Sequence, residues 1–147
     1  MATGDRIDPF RGYNFRVEID NLPNLSFREC SGLTLDVAPV EYREGTDKFL
    51  HVRKLTGLRT SANIQCKHGI VTDRRLWLWY LEVLNGNPKR RDGSVILTDE
   101  AHADQWRWHF YEGWICKWEG PSFNATANEV AVEAIEICVE RVEVVPG

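Results

Sequence analysis

At 147 residues the chain has the usual size of one domain, with 43% hydrophobic and 27% charged residues, and it holds no apolar run near the ~18 to 20 residues of a membrane helix. A net charge of −4 provides no field to gather phosphate from a distance, which argues against general nucleic-acid binding. The opening Met1-Ala2-Thr3-Gly4-Asp5-Arg6 is polar and leads into Pro9; it lacks the regions of a secretory signal, so synthesis in the cytoplasm without membrane insertion by the monomer is expected.

Tyr13, Phe15, Val17 and Ile19 alternate with Asn14, Arg16 and Glu18, the period of two that sets a strand with one face on a core. Asn21-Leu22-Pro23-Asn24 is turn chemistry. Leu25 to Val37 reads as a second extended segment, bent at Ser31-Gly32 and expected to pair with the first as a hairpin. From Ala38 to Leu58 the residues are mostly polar and without a clear period. A stretch that long predicts an extended loop, marked here as a partner-binding arm.

Ser61 to Gly69 returns to strand character, with Ala62, Ile64, Cys66 and His68 on one face. Thr72-Asp73 then caps a predicted helix whose apolar positions Leu76, Trp79, Tyr80, Val83 and Leu84 follow the helical repeat. Asn85-Gly86-Asn87-Pro88 stops it. Ser94 to Thr98 is a short strand after the basic turn Lys89-Arg90-Arg91-Asp92-Gly93, and Gln105 to Cys116 alternates again, with Trp106, Trp108 and Phe110 on one side. After the turn at Gly120-Pro121, Glu129 to Val145 is one long β-branched stretch. The sum is a mainly β single domain over residues 1–147, a sandwich or barrel of about six to eight strands with one flanking helix.

Candidate chemistry is thin. Cys30, Cys66, Cys116 and Cys138 form no Cys-x-x-Cys pair and read as buried thiols in a reducing compartment. Cys66 and His68 share a strand face and invite a metal with His102 or His109, but without a ligand-spacing signature the expectation is no metal and no cofactor. A catalytic elbow and a phosphate-cradling glycine loop are both missing from the sequence, so no catalytic residue is assigned. The acids Asp99, Glu100 and Asp104 read as a solvated loop, and Lys89-Arg90-Arg91 with Arg74-Arg75 as a solvated turn or a link between subunits.

The segment from Asp8 to Ile19, Asp-Pro-Phe-Arg-Gly-Tyr-Asn-Phe-Arg-Val-Glu-Ile, resembles the start of the inner-tube proteins of contractile phage tails and phage-derived injection systems. The likeness continues in order through Phe27 to Leu33, Val40 to Gly45, Leu76 to Trp79, Trp106 to Phe110, Lys117 to Pro121 and Asn128 to Glu133, and so covers nearly the whole chain. It departs at Thr56-Gly57-Leu58, where the family often carries a Pro-Gly turn, and in the tryptophan-rich Trp106 to Trp118 region.

The resemblance implies a tail-tube or Hcp-like fold and a structural role without enzyme activity. Six copies would close into rings, and the rings would stack into a hollow conduit for cargo or DNA inside a contractile sheath. Implied partners are other copies of the chain, the sheath, a baseplate hub, a terminator cap, and a tape-measure protein or effector in the lumen, all within a virion tail or injection particle. Residues 38–58 become an inter-subunit arm carrying Tyr42, Arg43, Glu44, Asp47, Lys48, His51, Arg53 and Lys54. Arg16, Glu18, Glu136 and Glu140 become lumen-facing residues. The alternatives are a secreted ring protein of the type VI kind that carries effectors, and a monomeric β-barrel binding a small ligand in an aromatic pocket.

Overall fold

The computed structural model describes residues 11–12, 14–23, 25–45, 52–70, 73–126 and 128–146. Among them run β1 (Phe15–Ile19), β2 (Glu29–Ser31), β3 (Leu35–Tyr42), β4 (Arg53–Ser61), β5 (Ile64–Gly69), α1 (Arg75–Leu84), β6 (Arg91–Thr98), β7 (Asp104–Glu119), β8 (Val132–Cys138) and β9 (Arg141–Pro146). Nine strands is one more than the upper end of the expected range.

Two antiparallel sheets share the 16-residue strand β7. Its first half lies between β6 and β9, with β1 beyond β6. Its second half pairs with β8, which continues to β5 and then β2. The transfer happens at Glu112, held at φ 55° with its N–H donating to Asp92 Oδ1 at 2.9 Å. A bend of this kind reverses which residues face inward, so Phe110 before it and Ile115 after it both enter the core.

That core lies between the sheets and joins Val17, Ile19, Ile64, Cys66, Val95, Phe110, Ile115, Ile135, Ile137 and Val142 to Leu76 and Trp79 from the helix. Phe110 is completely buried between two glycines. A Cβ on Gly93 would stand 2.5 Å from both the ring and the Glu18 carbonyl, and one on Gly113 would stand 2.9 Å from the ring's other edge. The sequence has no side chain where the largest residue of this layer needs room.

Three expectations are corrected. β1 pairs with β6, and β2 pairs with β5 on the other sheet, so the first two extended segments form no hairpin. The turn itself is where expected, with Asn21 at φ 63°, but it sends the chain across the core instead of back alongside β1. The long stretch after Glu129 breaks at Val139–Glu140 into β8 and β9, which lie in different sheets. The polar stretch 38–58 is not irregular over its described residues: most of it belongs to the antiparallel ribbon β3–β4.

The helix begins two residues after Asp73, with Arg74 at the N-cap position and no side-chain bond from it, so Asp73 caps from one residue farther out than expected. Asp73 Oδ1 accepts the Arg75 N–H at 3.0 Å, and the same carboxylate holds the Arg75 guanidinium at 2.7 Å. Those bonds from Arg75 bring the Asp73 carboxyl down to about 2. Arg75 also donates to the Pro23 carbonyl. Thr72 lies outside the described residues. At the far end Gly86 takes φ 81° and closes on the Val83 carbonyl, ending the helix where Asn85-Gly86 predicts. Leu76 and Trp79 are buried, and the Trp79 indole donates to the Lys89 carbonyl at 2.6 Å. Tyr80 stacks on Trp118 of β7, and Trp77 meets the edge of the same ring, fixing the helix against the second half of that strand.

Candidate assembly interface

The β3–β4 ribbon is built unlike the rest of the molecule. Every residue of β3 is exposed, and so is every residue of β4 except Gly57 and Ser61. In the register Leu35 faces Ser61, Val37 faces Arg59, Val40 faces Leu55 and Tyr42 faces Arg53. Alternation along β3 puts Leu35, Val37 and Pro39 on one face, and Val40 and Tyr42 with Leu55 on the other. Apolar side chains therefore stand in water on both sides of the ribbon. Thr56-Gly57-Leu58, where the sequence leaves the family pattern, is a bulge in β4 between the pairs Val37–Arg59 and Pro39–Thr56. Leu58 on that bulge is 81% exposed.

Of the eight residues assigned to the arm, Tyr42, Arg53 and Lys54 lie in the ribbon strands, with Arg43 and Glu44 just past β3. Tyr42 donates to Glu44 Oε1 at 2.8 Å. Asp47, Lys48 and His51 lie outside the described residues. The apolar residues Leu35, Val37, Val40, Leu55 and Leu58 were missed as site residues. Their signal is faint, because with both faces solvated no polar and apolar alternation survives.

The strand edges are the second element of this surface. Among the described residues β1 and β9 border the first sheet, and β2 and the second half of β7 border the second. β1, β2 and β9 are each, among the described residues, hydrogen-bonded along one side, which leaves a row of backbone donors and acceptors for another chain. Between β1 and β2 the sandwich opens into a cleft of about 550 Å³ lined by Phe15, Phe27, Cys30, Leu33, Leu97 and Trp108.

The four residues assigned to the lumen fall on three places. Arg16 and Glu18 share the outer face of the first sheet. There Arg16 forks onto Asp104 at 2.8 and 2.9 Å and reaches Glu18 at 2.8 Å. Arg107 sits 3.6 Å from Glu18 and 3.5 Å from Asp104. The fork lowers the Asp104 carboxyl below its ordinary range and raises the Arg16 guanidinium. Farther along the same face Tyr111 donates to Glu143 at 2.7 Å, under the Arg141 guanidinium. Three cations and three anions thus balance within one surface. Glu136 is on the outer face of the second sheet, bonded by Asn63 at 2.7 Å. Glu140 lies between β8 and β9, 2.5 Å from Arg90.

The other clusters resolve into structure. Asp99 Oδ1 takes the N–H groups of Ala101 and Ala103, each at 2.9 Å, and so closes the turn before β7, which lowers its own carboxyl. Arg91 bonds the Asp20 carbonyl and covers Trp79. Cys66 and His68 point between the sheets; His68 Nε2 is 3.3 Å from Glu133 but off hydrogen-bond alignment, flanked by Phe27 and Trp118. His109 instead bonds Ser94 on the outer face of the first sheet, so these residues do not converge.

The family described as T4-like virus tail tube protein gp19 matches residues 11–143. The tube-containing "PVC sheath-tube complex in extended state" of an extracellular contractile injection system holds a chain 26% identical, with a TM-score of 0.85 over 95% of this chain and 93% of that one. A chain in the anti-feeding prophage cap structure is 26% identical, with a TM-score of 0.83 over 99% and 98% of the two chains. Hcp1 from Flavobacterium johnsoniae, at 15% identity and a TM-score of 0.54 over 89% and 95%, shares the fold alone. No curated protein matches the chain.

Proposed function

Since the chain belongs to the T4-like virus tail tube protein family, we propose that six copies close into a ring and that rings stack into the inner tube of a contractile tail or injection particle. The observation that carries this reading is the ribbon β3–β4, whose apolar residues are exposed on both faces of a domain in which, among the described residues, β1, β2 and β9 are also unpaired on one side. Isolated, such edges and apolar residues favour aggregation; closed around a symmetry axis, they are consumed by identical neighbours. The ribbon, with Tyr42, Arg43, Glu44, Arg53 and Lys54 and with Asp47, Lys48 and His51 beyond the described residues, reaches the neighbouring subunit or ring.

The balanced face of Arg16 and Glu18 lines the lumen. Its charges neutralise one another, so the wall stays wet without holding a passing polyanion or protein. Glu136 and Glu140 lie on other surfaces and are not assigned to it. The outside of the tube meets a sheath, one end a baseplate and the other a cap, as in the particles whose tube chains this one resembles. The subunit performs no chemistry.

Electron microscopy of the purified chain across a concentration series tests the reading. Six-membered rings or tubes are expected. Dispersed monomers at every concentration, joined by an assembled particle in which the ribbons touch no neighbour, would overturn it.

A further inference from the structure

Four cysteines that are scattered in the sequence do not stay scattered in the fold. Cys30 of β2 stands directly opposite Cys66 of β5, and their sulfurs are 3.6 Å apart. Opposed residues of an antiparallel pair keep their Cα atoms roughly 4.5 or 5.5 Å apart, which is within the span of a disulfide, and the sulfurs need only close to about 2.05 Å. Cys66 is completely buried, whereas Cys30 is half-buried and opens onto the cleft between β1 and β2. One thiol is therefore reachable by a soluble oxidant and the other is held behind it.

The position of the pair gives it a use. β2 is three residues long and, among the described residues, pairs with β5 alone. The chain leaves β2 through Gly32 at φ 86°, packed on the Asn63 backbone so closely that a Cβ there would stand 2.1 Å from its carbonyl oxygen. Thr34 accepts from the Ala62 N–H at 3.1 Å, and the ribbon starts at the pair Leu35–Ser61. Cys30 and Cys66 thus bracket the whole β3–β4 ribbon in sequence and stand beside the end where Leu35 pairs with Ser61, its root on the second sheet.

We propose that Cys30 and Cys66 form a reversible disulfide that clasps the root of the β3–β4 ribbon when the protein meets an oxidising medium. With a small disulfide such as oxidised glutathione as the oxidant, the Cys30 thiolate attacks one of its sulfurs, forming a mixed disulfide and releasing one glutathione thiolate. The Cys66 thiolate then attacks the Cys30 sulfur and releases the second. Two protein thiols lose two protons and two electrons, and the oxidant becomes two thiols. The order of attack agrees with the electrostatics: the contact between the two sulfurs lowers the Cys30 thiol and, together with burial, pushes the Cys66 thiol well above the ordinary value. The other thiols are differently placed, with Cys116 bonded to the Glu136 carbonyl at 3.4 Å and Cys138 opposite Trp114. Because both sulfurs belong to one chain, the clasp does not rest on ring assembly.

Reduced full-length protein is exposed to oxidised glutathione at mildly alkaline pH, quenched with N-ethylmaleimide, and read by intact mass and non-reducing peptide mapping. The expected product has lost two hydrogens, keeps two of its four cysteines alkylatable, and joins the Cys30 and Cys66 peptides. Cys30→Ser removes the link and Cys116→Ser keeps it. The oxidised form is expected to unfold about 10 °C above the reduced form, and dithiothreitol abolishes the difference. Four alkylated cysteines after prolonged exposure, a link through Cys116 or Cys138, or glutathione stranded on Cys30 would overturn the pairing. A Cys30–Cys66 link with no rise in melting temperature would overturn its role as a clasp.

Discussion

Replacing Leu58 by serine separates the ribbon's part in assembly from its part in the fold. Leu58 is 81% exposed on the β4 bulge, so the isolated domain gains almost nothing from its side chain. Burying a whole leucine contributes about 1.5–3 kcal/mol; scaled to the exposed fraction, covering Leu58 at a subunit contact contributes roughly 1–2 kcal/mol. Leu58→Ser is therefore expected to raise the concentration needed for rings or tubes about five- to thirty-fold, while chain stability moves by about 0.5 kcal/mol or less. Pelleting and sedimentation velocity over a concentration series measure the first quantity, and urea unfolding of the dispersed chain measures the second. Leu58→Met, which keeps the apolar volume, is expected to assemble like the parent. A serine variant that assembles at the parent concentration would refute the reasoning, and so would one whose loss of assembly is matched by lost stability.

Three further outcomes test the fold beneath that surface. Gly93→Ala puts a methyl 2.5 Å from both the Phe110 ring and the Glu18 carbonyl, and is expected to cost about 1–3 kcal/mol in urea unfolding; Phe110→Leu in the same chain recovers only part, since the carbonyl contact persists. Trp79→Phe removes the donor to the Lys89 carbonyl and is expected to cost about 1–3 kcal/mol, with the basic turn exchanging its amide hydrogens faster. The Asp73 carboxyl, depressed to about 2 by Arg75, contributes stability that is present above the ordinary carboxylate pKa and is lost as pH falls toward 2. Asp73→Asn should flatten the acid limb of stability in that window, and an NMR titration showing Asp73 at the ordinary carboxylate value would contradict the assignment.

Much of the architecture was legible because a residue pattern records which way side chains face. The alternation of Phe15, Val17 and Ile19, the helical spacing of Leu76 and Trp79, and the stop at Asn85-Gly86 each reappear as β1, α1 and its end. Pairing partners were not legible, since alternation says nothing about which strand lies alongside. That is why sequence order suggests a β1–β2 hairpin although β2 belongs beside β5. The ribbon's residues predict a loop because its strands bury neither face and so show no two-residue period. The break between β8 and β9 carries no turn residue, yet it has a signature: Ile135 and Ile137 point inward at odd positions, while Val142 points inward at an even one. Of the candidate site, the arm's charged residues were visible in composition, but the exposed leucines and valines acquired meaning only once both ribbon faces were seen to be bare. The Cys30–Cys66 pairing was invisible for the same reason as the β2–β5 pairing that creates it.

A cryo-EM reconstruction of the assembled protein is the most direct measurement of the central claim, that this sandwich is completed by copies of itself. The account predicts six chains per ring, main-chain hydrogen bonds between neighbours along the free sides of the border strands, and Leu58 buried against an adjacent subunit. Chains packed side by side with solvated strand borders and a solvated ribbon would contradict it.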